Sequence, residues 1–161
     1  MISIRNAKPE EMHVLGEIGL AAWRKGIMPL VSEDVVARIT ADNPFLPFLK
    51  DMGPRVLVAV SDGAPAGLGA CEHADDYISD VWVSPDFEGR GVGSALLSAL
   101  EAEIVARGHA RARLHVAAAN ERALRLYQHR GYREIWRGTV QDAVLGIPLE
   151  KIELAKDLSG V

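Results

Sequence analysis

The residues best suited to chemistry lie in Val81-Trp82-Val83-Ser84-Pro85-Asp86-Phe87-Glu88-Gly89-Arg90-Gly91-Val92-Gly93-Ser94-Ala95-Leu96-Leu97. This stretch reads as a strand, a glycine-punctuated loop and the start of an amphipathic helix. Glycines at 89, 91 and 93 free the backbone for positive φ. A curled backbone aims successive N–H groups at one point, and the helix adds its unpaired first-turn N–H groups and the positive end of its dipole. Such a cradle suits a phosphate or pyrophosphate, so the expected ligand is a phosphate-bearing cofactor held by Glu88, Gly89, Arg90, Gly91, Val92, Gly93 and Ser94. No lysine follows the glycines, as a P-loop requires, and their alternation lacks the spacing of a dinucleotide fingerprint. Taken alone, the loop equally describes a plain turn.

A second informative run is Asn120-Glu121-Arg122-Ala123-Leu124-Arg125-Leu126-Tyr127-Gln128-His129-Arg130-Gly131-Tyr132. Asn120 suits a helix N-cap. Ala123, Leu126 and Tyr127 then share one side of the helix. A phenol with an ordinary pKa of about 10 keeps its proton near neutral pH and can donate it. The plainer reading of Tyr127 is a ring packed on the helix face with its hydroxyl at the rim.

Together the two runs closely resemble the motifs of the GNAT N-acetyltransferase superfamily. The acetyl-CoA loop Gln/Arg-x-x-Gly-x-Gly/Ala falls on Glu88–Gly93, and the signature Asn-x-x-Ala-x-x-Leu-Tyr-x-x-x-Gly-Phe/Tyr falls on Asn120–Tyr132. The resemblance implies acetyl-CoA as cofactor and direct transfer of its acetyl group to a primary amine, borne by a small molecule or a peptide. It implies that Tyr127 protonates the departing thiolate, that the Val81 and Val83 backbone pairs with the pantetheine arm, and that Asn120 contacts the same arm. It also places Trp23 in the acceptor wall. Glu88 departs from the family's Gln or Arg. An acid beside a pyrophosphate is unfavourable unless it points away, and Arg90 is the expected neutralising neighbour.

The general base is less evident. Family members often carry a carboxylate on the fourth strand, and the corresponding positions here hold Tyr77 and Ser79. Asp80 is the candidate, although strand alternation sets it opposite Ser79 unless a bulge resets the parity. Glu72, Asp75 and Asp76 read as a solvated acidic turn, and a water chain without a dedicated base is the other option. Two rival functions stand beside acetyl transfer. One is a non-catalytic acyl-CoA-binding or regulatory domain of the same fold. The other is an NTP-using enzyme, which needs metal-holding acids that the loop lacks apart from Glu88.

The elements that must position these residues follow from periodicity. Ile2–Arg5 alternates as a strand. A helix runs from Pro9 to about Lys25, and Ser32 caps a second one through about Thr40. Asn43–Pro54, with three prolines, reads as an irregular loop. Arg55–Ser61 and Ala66–His73 form strands about an Asp62-Gly63 hairpin turn, and Tyr77–Val83 is a third. The post-loop helix runs from about Gly91 to Arg107, with Leu96, Leu97, Leu100 and Ile104 at core spacing. Arg113–Val116 is a strand, Asn120–Arg130 a helix, and Tyr132–Arg137 and Leu149–Ala155 the last strands. Periodicity alone implies a mixed α/β domain. The resemblance adds a twisted mixed sheet with helices on both faces, whose fourth and fifth strands, here Tyr77–Val83 and Arg113–Val116, splay apart.

Composition sets the outer bounds. The 161 residues, 48% hydrophobic and 25% charged, fit one globular domain spanning 1–161. A net charge of −4 gives no electrostatic case for nucleic acid or acidic membranes and favours a cationic acceptor. The single cysteine, Cys71, excludes an intrachain disulfide, reads as a buried structural thiol and fits a reducing, cytoplasmic location. No apolar run approaches the roughly 20 residues that span a bilayer, and Met1–Lys8 lacks a signal-peptide core. The five histidines show no paired ligand spacing, which argues against a metal site. A homodimer, common in the family, is left open.

Overall fold

The computed structural model describes residues 1–159. Among these residues eight strands and five α-helices follow in the order β1 Ile2–Asn6, α1 Met12–Gly26, α2 Glu33–Asp42, α3 Phe45–Met52, β2 Leu57–Ser61, β3 Ala64–Ala70, β4 Tyr77–Ile78, β5 Asp80–Val83, α4 Val92–Ala106, β6 Arg111–Ala117, α5 Glu121–His129, β7 Arg133–Asp142 and β8 Ile147–Asp157. A single 3-10 turn, Pro9–Glu11, leads into α1. The mixed α/β architecture is the one that the periodicity and the family resemblance imply.

The strands form two four-stranded sheets, β1-β2-β3-β5 and β4-β6-β8-β7. The first is antiparallel throughout, and the second is mixed because β4 runs parallel to β6. The segment Tyr77–Val83, expected as one strand, is thus divided. Its first two residues pair with Arg113 and Leu114 of β6, while Asp80–Val83 pairs with Gly67–Ala70 of β3. From Ser79 onward β5 and β6 have separate neighbours and diverge, leaving β5 as the free edge of its sheet. This is the splay that positions the site.

The division has a local cause. Asp80 is in register with Ala70, and the carbonyl of Ala70 also accepts the N–H of Ser79 at 3.0 Å. Two residues therefore face one, which is a β-bulge. The bulge reverses the facing of every side chain beyond it.

Apolar residues on the two faces of the first sheet build two cores. Leu57 and Ala59 belong to a cluster with Leu96, Leu97, Leu100 and Ile104 of α4, and Tyr127 joins it from α5. Val56, Val58 and Leu68 belong to a second cluster with Leu15 and Trp23 of α1, Ile39 of α2 and Leu49 of α3. Burial on both faces explains why β2 reads as a continuous apolar run.

Helix α3 corrects the expectation of a loop over Asn43–Pro54. Pro44 is its N-cap, Pro47 lies in the first turn, and Pro54 follows Gly53, which ends the helix at φ +55°. First-turn N–H groups have no intrahelical acceptor, so proline there breaks no bond. The prolines bracket the helix, and Phe45, Leu49 and Met52 bury its inner stripe. The last two strands also exceed their expected limits, because antiparallel pairing of β7 with β8 extends past the apolar runs. Cys71 is half-buried, and burial pushes its thiol up despite nearby Arg107.

Candidate active site

Two cavities flank the divergence of β5 from β6. The larger, about 1220 Å³, is a cleft lined by α1, β5, the glycine loop, the start of α4, and α5. Gly89 and Gly91 stand at φ +74° and +86°, so both need the left-handed region that glycine tolerates. Gly91 is the N-cap of α4 and has no side chain to bond the first-turn N–H groups. The N-terminus of α4 therefore points its unspent donors into the cleft. Gly89, Gly91, Val92, Gly93 and Ser94 all line it, as do Val81 and Val83 on the free edge of β5.

Glu88 also lines the cleft, and the structure corrects its expected partner. Its carboxylate is paired with Lys25 of α1 and, at 2.9 Å, with Arg122 of α5. Arg90 instead lies over the Phe87 ring, 5.2 Å from its centroid, and is not a cleft residue. Glu88 thus gathers two cations at the glycine loop instead of presenting a bare acid. Exposed pairs of this kind contribute about 0.2–1 kcal/mol each, little enough for a phosphate to compete for both cations.

Asn120 caps α5, accepting the Ala123 N–H at 3.3 Å, and lines the cleft beside Gly26. Tyr127 sits two turns further on. It is 8% exposed, packs edge-on to Tyr132 with ring centroids 6.1 Å apart, and faces the cleft. The two tyrosines differ in what their hydroxyls do. Tyr132 donates to Glu101 at 2.8 Å, and Glu101 also holds Lys156 at 3.0 Å. Burial, with the charges of Asp80 and Tyr77 adding to it, pushes the Tyr127 phenol well above its ordinary pKa, so it holds its proton through the neutral range.

The smaller cavity, about 360 Å³, lies on the opposite side, and Trp82 lines both. Tyr77, Ser79, Asp80 and Trp82 all face it. Residues 77 and 79 share a face, as do 80 and 82. The bulge joins the two sets, placing Asp80 beside Ser79 instead of opposite. Asp80 accepts from the Ser79 hydroxyl at 2.7 Å and the Trp82 indole N–H at 2.9 Å, and the Glu72 N–H bonds Ser79 Oγ at 2.9 Å. Only a cavity-facing part of Asp80 stays accessible, and burial raises its pKa more than the two hydrogen bonds lower it. Such a shift moves a carboxyl toward the range useful for proton transfer.

One pair escaped the sequence reading. The hydroxyl of Tyr77 meets His115 Nδ1 at 2.7 Å, and His115 Nε2 lies 3.6 Å from Glu153. Burial pushes the Tyr77 phenol up to about 12 and lowers His115, which is therefore neutral near pH 7. Only the parallel pairing of β4 with β6 unites these residues, and no local motif announces it. Among the described residues, no three His, Cys, Asp or Glu side chains converge as a metal set, and no helix is long and apolar enough to cross a membrane.

Known proteins resemble this chain in sequence and fold. An acetyltransferase of Sodalis glossinidius (strain morsitans) is 28% identical over 120 residues, 74% of this chain and 75% of that one. The crystal structure of a GCN5-related N-acetyltransferase, described with it as an aminotransferase, class-II, from Rhodopseudomonas palustris, superposes with a TM-score of 0.80 at 28% identity, covering 97% of this chain and 95% of that one. The PaiA N-acetyltransferase of Thermoplasma acidophilum, solved in complex with coenzyme A, shares the fold at a TM-score of 0.74 and 17% identity over 98% and 99% of the two chains. The model of the acetyltransferase (GNAT) family matches residues 20–132, which hold both the glycine loop and the Asn120–Tyr132 run, and the chain belongs to that family.

Proposed function

We propose that this protein is an N-acetyltransferase that moves an acetyl group from acetyl-CoA directly to a primary amine. One observation carries the reading: two cavities flank the divergence of β5 from β6 and share Trp82 in their walls, with Tyr127 facing one and Asp80 the other. The larger cleft fits the cofactor, with curled loop amides, an uncapped helix N-terminus and two cations at one end. Acetyl-CoA, when bound, supplies an activated acetyl group as a thioester. The coenzyme A complex of the Thermoplasma protein, which has the same fold, supports this choice.

The residues then divide the work. Amides of residues 89–94 and the α4 dipole bind the pyrophosphate, and Lys25 and Arg122 add positive charge. The free edge of β5 at Val81 and Val83 takes the extended pantetheine as an added strand, and Asn120 borders the same arm. An edge N–H also serves as donor to the oxygen on which charge develops. Asp80 takes the proton of the incoming amine, positioned by Ser79 and Trp82. Tyr127 holds a proton at Oη for the departing thiolate. Holding both partners in adjoining cavities makes the reaction effectively unimolecular, so a covalent acyl-enzyme is unnecessary.

The test is calorimetric titration with acetyl-CoA, with ATP–Mg²⁺ as control. Micromolar binding of acetyl-CoA alone, followed by amine-dependent release of free thiol, is the expected outcome. Binding without turnover on any amine favours the non-catalytic acyl-CoA-binding alternative. Binding of ATP instead excludes acetyl transfer.

Two loop substitutions probe the cleft. Gly91→Val meets open space, since an added Cβ has only Ile2 Cδ1 at 3.9 Å, yet it forces a β-branched residue to φ +86°. Strain of roughly 1–3 kcal/mol relaxes in the free protein and must be restored on binding, so acetyl-CoA affinity falls about 10- to 100-fold while the protein stays folded. Unchanged affinity by calorimetry refutes the curled-loop cradle. Glu88→Gln frees Lys25 and Arg122 for phosphate, and Kd tightens about two- to fivefold at low salt, with the gain shrinking as salt rises. Weaker binding in this variant means that Glu88 serves to hold the cleft walls together.

A further inference from the structure

We infer that the acceptor is a small free monoamine with an apolar or aromatic body, taken into the 360 Å³ chamber and excluding polypeptide acceptors. This rests on the acetyl-transfer reading above and specifies its second substrate.

The chamber volume is at the lower end of small-molecule sites, large enough for one compact ligand. Its helical wall is Trp23, Phe45 and Phe48, and its strand wall includes Tyr77 and Trp82, so the body of the ligand meets mostly rings. Its carboxylates and its one lysine decide what charge it takes, with His73 and His115 beside them. Asp80 and Glu72 offer carboxylates to the ammonium, but Asp142 and Lys151 are already paired at 2.8 Å. An amino acid therefore finds no free cation for its carboxylate, and because Asp80 and Glu72 are joined through Ser79 at one place, a polyamine's distant second ammonium meets rings instead of an acid.

A strap forms one wall of the chamber. The turn between β7 and β8 crosses from the second sheet to the helices, where Leu145 is 4% exposed within the cluster of Trp23 and Phe45. Asp142 accepts the N–H groups of Val144 at 3.0 Å and Leu145 at 2.8 Å. Arg38 of α2 donates to the carbonyls of both residues, at 3.1 Å for Val144. The turn is thus tied at its base by Asp142 and at its tip by Arg38. A peptide or protein acceptor needs an open groove for the chain beyond its reacting residue, and the tied strap takes up the side of the chamber that it lines.

The experiment measures acetyl-CoA-dependent thiol release with 2-phenylethylamine, isopentylamine, spermidine, phenylalanine and a tripeptide with a free N-terminus. Tryptophan fluorescence follows amine binding without cofactor, since Trp23 and Trp82 line the chamber. The two monoamines are expected to exceed the tripeptide and phenylalanine about 100-fold in kcat/KM, and 2-phenylethylamine to quench fluorescence saturably. Phe48→Ala raises the KM for 2-phenylethylamine about tenfold with little change in kcat. Arg38→Ala, checked for folding by its melting transition, narrows the preference against the tripeptide. A tripeptide or spermidine acetylated at least as well as the monoamines overturns the inference while leaving acetyl transfer intact. Loss of acetyl-CoA binding in the calorimeter brings down both.

Discussion

Replacing Tyr127 by Phe lowers kcat by about 10²–10³-fold and leaves the Kd for acetyl-CoA within about twofold. The substitution removes Oη alone. The ring keeps its edge contact with Tyr132 and its place in the α4 core, so the cleft retains its shape. Tyr132→Phe is the matched control, because it removes a hydroxyl that is bonded to Glu101. That variant loses stability on the order of 1 kcal/mol and keeps its kcat. Steady-state kinetics with calorimetry separates the two effects, and an unaltered kcat in Tyr127→Phe takes the donor role away from this residue. Because burial raises the Tyr127 phenol, activity shows no alkaline loss through the ordinary tyrosine range.

Replacing Asp80 by Asn has the next largest effect, in opposite directions on rate and stability. Loss of a base that takes a proton in the transition state lowers kcat/KM about 10²–10³-fold. The acid limb of the wild-type pH profile lies above the ordinary aspartate range and is abolished in the variant. The folded-state pKa of Asp80 is raised above its unfolded value. Its favourable contribution is then present below the unfolded value of about 3.9 and is lost as pH rises through the folded one. At pH 7–8 the ionised carboxylate is a burden, so Asp80→Asn melts higher there, by about 2–4 °C per kcal/mol relieved, and the gap closes toward pH 4. Thermal scans across that pH range read this directly. Retained activity and a retained acid limb would shift the base to the Tyr77–His115 pair, next along the same cavity wall.

What could be read in the sequence depended on how local the cause was. Positive φ at Gly91 and the Asn120 cap are rules of one turn of chain, and both stand where the spacing put them. Helix α3 obeys an equally local rule, but prolines at an N-cap and in a first turn look from composition like the prolines of a loop. Asp80 shows a limit of another kind. Its facing depends on a bulge against Ala70, and no pattern within Tyr77–Val83 reports that pairing. Glu88 is stranded in sequence from Lys25, 63 residues away, so its neighbour Arg90 was the natural but mistaken choice.

The two cores on opposite faces of the first sheet divide the molecule's capacity for change. Tyr127 and the start of α4 rest on one, and the chamber residues Trp23, Phe45 and Leu145 on the other. Substitutions in separate clusters combine nearly additively when they share no partner. Acceptor preference can therefore drift by repacking α1, α3 and the β7–β8 turn while cofactor handling stays constant. Trp82, which borders both cavities, is the position where that independence ends.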